Sequence, residues 1–153
     1  MSTVKEMMMS LRKVAVFCAL ACSVFAAGAV VAQDPIAARK AGFKAAKEAM
    51  GNIKSTLESN GDLAVVKMNA EKLVQVAQAA GPLFPPGSDK GDTKAKASIW
   101  SNMDDFKAKG AAFNTESAKL VQLAAAGDAA AVKKQFGAVG ATCKACHDSY
   151  KAD

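Results

Sequence analysis

The sequence predicts an all-α protein, an antiparallel four-helix bundle with a long crossover loop between helices 2 and 3. Three observations support this prediction: apolar residues recur at helical spacing in four segments, capping and turn residues separate these segments, and no run of alternating β-branched residues indicates a strand. The chain has 153 residues, of which 51% are hydrophobic and 6% aromatic. This length accommodates one domain and a leader.

The first two helices are delimited by capping residues. Asp34 followed by Pro35 is typical of an N-cap with proline at the first helical position. Gly61 ends the first helix, Asp62 caps the second, and Gly81 ends the second. Apolar residues recur every seven positions along the first helix and predict a stripe that faces a partner helix: Ile36, Phe43, Met50 and Leu57.

Residues 81–93 contain three prolines and three glycines, which predicts an irregular crossover loop. The third helix is expected from about Lys94 to Ala126, and Asp128 caps the fourth. In the fourth helix the apolar stripe continues through both cysteines to Tyr150. Three residues on the core-facing stripe of the third helix are small, namely Gly110, Ser117 and Ala124. They either leave room inside the bundle or reflect ordinary close helix packing.

Residues 1–32 are predicted to be a secretory signal peptide. Lys5, Arg12 and Lys13 precede a chargeless run that ends in small residues before Gln33. A retained membrane anchor is the alternative, and either outcome places residues 33–153 in the periplasm. Three of the 20 basic residues and one of the 14 acidic residues lie in the leader, so residues 33–153 carry a net charge of +4 without a basic block. This distribution excludes a nucleic-acid-binding surface.

The most specific motif in the chain is Cys143-Lys144-Ala145-Cys146-His147, which matches the attachment pattern for haem c. Two sulfurs three residues apart share one helical face, where they are close enough to bond the two vinyl groups of one porphyrin. His147 then supplies the axial nitrogen for the iron. Three alternatives are a thiol–disulfide redox pair, a zinc site completed by carboxylates, and a structural disulfide.

These features together resemble the class II cytochromes c, specifically the cytochrome c prime family. The resemblance covers residues 33–153 and rests on the C-terminal motif, with support from residues 39–44, Leu83-Phe84-Pro85 and Ile99-Trp100-Ser101. It implies a haem inside the bundle with His147 on one face and the first helix over the other. In low-spin members a Met at the position of Phe43 binds the iron. Phenylalanine has no lone pair to donate, so the resemblance implies five-coordinate, high-spin iron beneath an apolar ring.

The resemblance also implies other cofactor contacts. Arg39 corresponds to a basic residue near a haem propionate, Trp100 to a tryptophan near the haem, and Lys151 to a basic residue near the proximal face. Taken alone, Arg39 is equally consistent with a solvated helix charge and Trp100 with a packing residue. Phe43, considered by its spacing alone, is favoured as an ordinary core aromatic.

The predicted function is binding of a small diatomic gas such as NO or CO, together with or in place of single-electron transfer. The alternative is a dedicated low-spin electron carrier with a Met sixth ligand, although Met50, Met68 and Met103 are more typical of packing residues. An enzymatic role is not expected, because nothing on the distal side resembles an acid/base pair. The family resemblance favours a homodimer through the first two helices, although the outward-facing side of helix 2 is also compatible with a monomer. The redox partner is not predicted.

Overall fold

The computed structural model describes residues 34–153, so the predicted signal peptide lies outside the described residues. This part of the chain is helical, and its longer helices form the predicted four-helix bundle. None of these helices is long and apolar enough to cross a membrane. The helices are α1 (Pro35–Glu58), α2 (Leu63–Ala80), the single turn α3 (Ser98–Ser101), α4 (Met103–Ala126) and α5 (Ala129–Tyr150).

The predicted caps are confirmed. Asp34, Asp62 and Asp128 each accept a hydrogen bond from a backbone N–H two or three residues further on, at 2.8–3.0 Å. Such bonds satisfy backbone donors that have no partner inside the helix. Gly127 ends α4 in the left-handed region, with φ of 78°. Because a residue without a Cβ adopts this conformation at little cost, glycine is the natural C-terminal stop here.

The predicted start of the third long helix at Lys94 is wrong. The chain instead forms the turn α3, breaks at Asn102 with φ of −133° and ψ of 44°, and begins α4 at Met103. Residues before α3 pair with the end of α5, where Lys96 donates its backbone N–H to the Tyr150 carbonyl at 2.9 Å. This tertiary pairing competes with helix formation. The crossover loop also contains a 3-10 turn, Gly81–Leu83, that was not predicted.

The long helices pack in sequence, α1 on α2, α2 on α4, and α4 on α5. The fourth edge of the bundle, between α1 and α5, has almost no close backbone approach. The apolar interior is divided into two clusters. The main cluster includes the fully buried residues Ile53, Val66, Leu73, Leu120, Val132 and Val139. The second cluster is built on Phe84, Ile99 and Tyr150, with Trp100, Met103, Phe106 and Cys146 packed against it.

Candidate haem-binding site

The two cysteines of the motif lie three residues apart, one turn before the end of α5. Both are half-buried free thiols, and Cys146 packs against the second apolar cluster. Burial raises the pKa of both thiols, and the charge of Lys109 partly offsets this for Cys146. Thiols in this environment stay protonated and are poor redox nucleophiles. The raised pKa values of both thiols therefore argue against a thiol–disulfide redox pair.

His147 follows Cys146 in the last turn of α5. Its side chain is exposed and lines an open cleft of about 360 Å³ together with Lys96, Asp148 and Lys151. Partial burial and then the charge of Lys151 lower the pKa of the imidazole, and Asp148 opposes them. The neutral imidazole is therefore the favoured form, and this is the form that binds iron. Lys151 is exposed and donates its backbone N–H to the His147 carbonyl at 3.0 Å, which fixes the end of the helix.

A row of aromatic rings connects α1 with the cysteine-bearing end of α5. The ring centroids of Phe43 and Phe84 are 6.4 Å apart, those of Phe84 and Phe106 are 4.7 Å apart, and those of Phe106 and Tyr150 are 5.4 Å apart. Phe43, the first ring in the row, is 44% exposed. The interpretation of Phe43 as an ordinary core aromatic is therefore wrong, because its ring lies at the open edge of the bundle.

Arg39 lies one turn before Phe43 and is 3% exposed, so the interpretation as a solvated helix charge is also wrong. Its guanidinium donates to the carbonyls of Leu83 and Ser88 and to the hydroxyls of Ser88 and Thr93. All four acceptors are neutral and belong to the crossover loop. Among residues 34–153 no carboxylate forms an ion pair with Arg39. A buried cation without an anionic partner fits an anionic group of a cofactor next to it.

Trp100 lies in α3, half-buried against the second apolar cluster. Its indole N–H donates to the Pro85 carbonyl at 2.9 Å, so the hydrogen-bond partner that a buried tryptophan requires is a loop carbonyl. The ring centroid of Trp100 is 6.2 Å from that of Phe84. Trp100 therefore lies in the same aromatic group as Phe43 and is a packing residue of the second apolar cluster.

α1, which carries Phe43, and α5, which carries Cys143 and Cys146, make almost no close backbone approach to each other. A Cβ added at Gly110 would meet no atom within 4 Å. By contrast, Ser117 and Ala124 are buried at 0% and 5% exposure, and Ala124 is a member of the main apolar cluster. Gly110 is itself exposed, so its open surroundings do not show room inside the bundle, whereas Ser117 and Ala124 reflect close helix packing.

The remaining alternatives for the motif find no support. Among residues 34–153 no group of three or more His, Cys, Asp and Glu side chains is placed to hold a metal ion, which argues against a zinc site. Both thiols are free, which argues against a structural disulfide. The residues present fit a haem that is bonded to Cys143 and Cys146 and ligated by His147.

Fold and site define a c-type haem protein of the four-helix class. The chain belongs to the cytochrome c' family: the model of the family described as Cytochrome C' matches residues 34–151. The cytochrome c' of Allochromatium vinosum is 38% identical over 138 residues, which cover 87% of this chain and 89% of that protein. Members of this family carry covalently attached haem c, and Cys143 and Cys146 of this chain match the attachment pattern.

Solved structures of the family have the same fold. A cytochrome c' described as having an unusual ligand-controlled dimer dissociation superposes with a TM-score of 0.74 at 38% identity, covering 78% of this chain and 95% of its own. A variant of the cytochrome c' from Alcaligenes xylosoxidans in complex with nitric oxide superposes with a TM-score of 0.72 at 33% identity, covering 78% of this chain and 94% of its own.

Sequence reasoning missed two parts of the site. Phe84 is expected to tuck under the crossover loop and is buried, but its contacts with Arg39, Phe43, Trp100 and Phe106 were not predicted. The hydrogen bond from the Tyr150 hydroxyl to the Asp105 carboxylate, at 2.5 Å, joins α5 to the start of α4. The available signal for the role of Phe84 was its position as an apolar residue among the prolines and glycines of the crossover loop. No local pattern indicates the second, because its partners are 45 residues apart.

Proposed function

We propose that this chain is a periplasmic haem protein that binds nitric oxide reversibly at an iron whose only protein ligand is His147. The haem supplies a metal with a free coordination position, and the chain supplies His147 on one face and the Phe43 ring on the other. The observation that carries this proposal is Phe43 itself, an aromatic residue without a lone pair that is 44% exposed on α1. The relative from Alcaligenes xylosoxidans that is solved with nitric oxide supports the choice of gas.

The chain has no second histidine or tyrosine with which to stabilise bound dioxygen. His147 is the single histidine and Tyr150 the single tyrosine, and the hydroxyl of Tyr150 is already bonded to Asp105. Dioxygen binding depends on a distal hydrogen-bond donor, whereas nitric oxide and CO bind iron without one. The proposed role is therefore gas binding without catalysis, since the same lack of donors removes the acid/base groups of a peroxidase.

The methionines do not favour the alternative of a low-spin electron carrier. Met50 packs against the main apolar cluster and Met103 against the second. Met68 is 50% exposed on α2, so its interpretation as a packing residue is wrong. Electron transfer through a haem without a sixth protein ligand remains part of the proposed role.

Replacing Phe43 with Met tests the proposed coordination. Phe43→Met should convert the iron from high to low spin, because it places a thioether sulfur where the ring now lies. The visible absorption spectrum of the oxidised and reduced protein measures this change. Met50→Leu is the matched control, since it removes a core methionine on the same helix and should leave the spectrum unchanged. An unchanged spectrum in Phe43→Met would show that residue 43 does not face the iron.

Titration of the reduced protein with nitric oxide and CO tests the free position directly. Reduced wild-type protein should bind both gases, and Phe43→Ala should raise the rate constant for CO binding because less side chain covers the site. A six-coordinate spectrum in the reduced protein before any gas is added would contradict the proposal.

We also propose that Arg39 lies next to a haem propionate. Four of its five N–H groups bind the crossover loop, so the interaction would rest on the remaining Nε–H and on its charge. Arg39→Met should lower the reduction potential, because it removes a buried positive charge beside the iron. Lys151→Met is the comparison for the proximal face and should change the potential less, since Lys151 is exposed to water.

We propose that two copies of the chain form a homodimer through α1 and α2. The proposed periplasmic location requires cleavage of the signal peptide before Gln33. Val65 and Met68, both on α2, are 38% and 50% exposed and form an apolar surface that a second copy would cover. The relative with ligand-controlled dimer dissociation supports a dimer. Sedimentation of wild type and Met68→Lys tests the assembly, with a monomeric wild type contradicting it. Mass spectrometry of the exported protein tests the cleavage site.

A further inference from the structure

We propose that the crossover loop controls how fast a gas reaches the iron, because Arg39 fixes the loop residue Phe84 against which Phe43 rests. This inference depends on the proposed function in one respect, namely that Phe43 covers the binding position. It assigns to Ser88 and Thr93, which lie outside the haem-attachment motif, a role in ligand access. We call Arg39 and its acceptors on Leu83, Ser88 and Thr93 the loop latch.

The loop latch is extensive for a single side chain. Arg39 donates to the Ser88 carbonyl at 2.6 Å, to the Ser88 hydroxyl at 3.0 Å, to the Thr93 hydroxyl at 2.5 Å and to the Leu83 carbonyl at 3.4 Å. Ser88 is 6% exposed, so water competes little for these bonds. Because the planar guanidinium offers its donors in a fixed geometry, it sets the path of the loop from residue 83 to residue 93.

The latch continues into α3. The Ser88 hydroxyl donates to the Pro85 carbonyl at 2.9 Å, and the same carbonyl accepts the indole N–H of Trp100 at 2.9 Å. Three segments that are distant in sequence, α1, the crossover loop and α3, are thus connected by one hydrogen-bond network. Such a network favours one loop position over others.

Phe84 is the residue that this network holds in place. It is 6% exposed, with the guanidinium carbon of Arg39 5.0 Å from its ring centroid. Its ring also packs on Trp100 and, edge to face, on Phe106. Phe43 is different: it is 44% exposed, and among the described residues its ring packs on one aromatic partner, Phe84.

The difference in exposure and packing between Phe84 and Phe43 determines how the Phe43 ring can move away from the proposed gas-binding position. A gas reaches the iron only after the Phe43 ring has moved, and the fixed ring of Phe84 blocks movement toward the loop. The remaining route is outward into water, which exposes apolar surface and is therefore unfavourable. If the latch is weakened, Phe84 can withdraw with its loop and Phe43 gains a second route. The latch residues are thus positioning residues that slow gas binding.

The test compares latch variants of the haem-loaded protein by the rate constant for CO binding to the reduced form. Thr93→Val removes one acceptor, and the double variant Ser88→Ala, Thr93→Val removes both hydroxyls. Each bond to a charged donor is worth about a tenfold change in the population of the open loop, so we expect the rate constant in Thr93→Val to rise roughly tenfold. Thr93→Ser keeps the hydroxyl and should bind CO at the wild-type rate. Thr56→Val is the matched control on α1, since its hydroxyl bonds the Asn52 carbonyl of its own helix.

Two further measurements separate ligand access from general damage. The spectrum of the reduced protein should be unchanged in all these variants, and amide hydrogen exchange over residues 83–93 should accelerate in Thr93→Val and in the double variant. Faster exchange with an unchanged CO rate constant would overturn the inference, since the loop would then move without affecting access. Unchanged exchange would overturn it as well, because the hydroxyls would not be holding the loop.

Phe43→Ala distinguishes this inference from the proposed function. If that variant does not bind CO faster, Phe43 is not the cover, and the proposed function fails together with the latch. If Phe43→Ala binds CO faster while both latch variants behave as wild type, the proposed function stands and only the inference about the loop is overturned.

Discussion

The hydrogen bond between Tyr150 and Asp105 makes a quantitative prediction about alkaline pH. The Tyr150 hydroxyl donates to the Asp105 carboxylate at 2.5 Å, and this bond, reinforced by burial and by the carboxylate charge, raises the pKa of Tyr150 from 10.0 to about 12. Asp105→Asn keeps an acceptor but removes the charge. We therefore expect the pKa of Tyr150 to fall toward its ordinary value, which would raise its acid dissociation constant by up to about 100-fold.

The sign of the effect on stability follows from the direction of the shift. The folded protein holds the phenolic proton more tightly than the unfolded chain does, so the contribution to stability is complete below pH 10.0. It is lost as the pH rises from there to about 12, where the folded tyrosine ionises. Stability should decline over this range in wild type and decline less in Asp105→Asn, whose folded and unfolded pKa values lie closer together.

The single tyrosine of the chain makes the assay unambiguous. NMR of isotope-labelled tyrosine follows one resonance through its titration, and denaturant unfolding at several pH values gives the stability. Asp104→Asn is the matched control, because Asp104 is the neighbouring acid in the first turn of α4 and does not bond Tyr150. A wild-type pKa near 10, or equal shifts in the two variants, would refute the assignment of the raised pKa to Asp105.

Two further predictions concern stability, both measured by denaturant unfolding. Leu73→Ala should cost about 2–5 kcal/mol, since Leu73 is fully buried in the main apolar cluster. If Leu73→Ala loses no more stability than Gln122→Ala, which shortens an exposed side chain, this packing is contradicted. Gly127→Ala should cost about 1 kcal/mol because φ is 78°. Gly81→Ala should be neutral or stabilising, because Gly81 has helical angles and open space around it; equal losses in the two glycine variants would contradict the conformational argument.

The sequence was sufficient for the helices and the attachment motif because both depend on local information. Asp34, Asp62 and Asp128 act on backbone groups within three residues, and Cys143 and Cys146 lie on one turn of one helix. Such relationships are fixed by helical geometry. The start of α4 was wrong because the pairing of Lys96 with Tyr150 brings together parts of the chain that no periodicity relates.

The surroundings of the site were less predictable for the same reason. Arg39 is equally consistent with a solvated and a buried charge until its loop acceptors are known, and those acceptors lie 44–54 residues away. Phe43 shares a heptad spacing with core residues, but the bundle is open at its position. The heptad pattern places Phe43 on the same stripe as core residues, and only the tertiary structure shows that it is 44% exposed among residues 34–153.

The order in which the helices pack has a consequence for how the protein matures. Each close interface joins one long helix to the next one along the chain, and such low contact order favours rapid folding. The remaining pair, α1 and α5, has almost no close backbone approach and meets only through side chains of the shared main cluster. A haem bonded to the two cysteines of α5 would therefore join a bundle whose three sequential interfaces form without it.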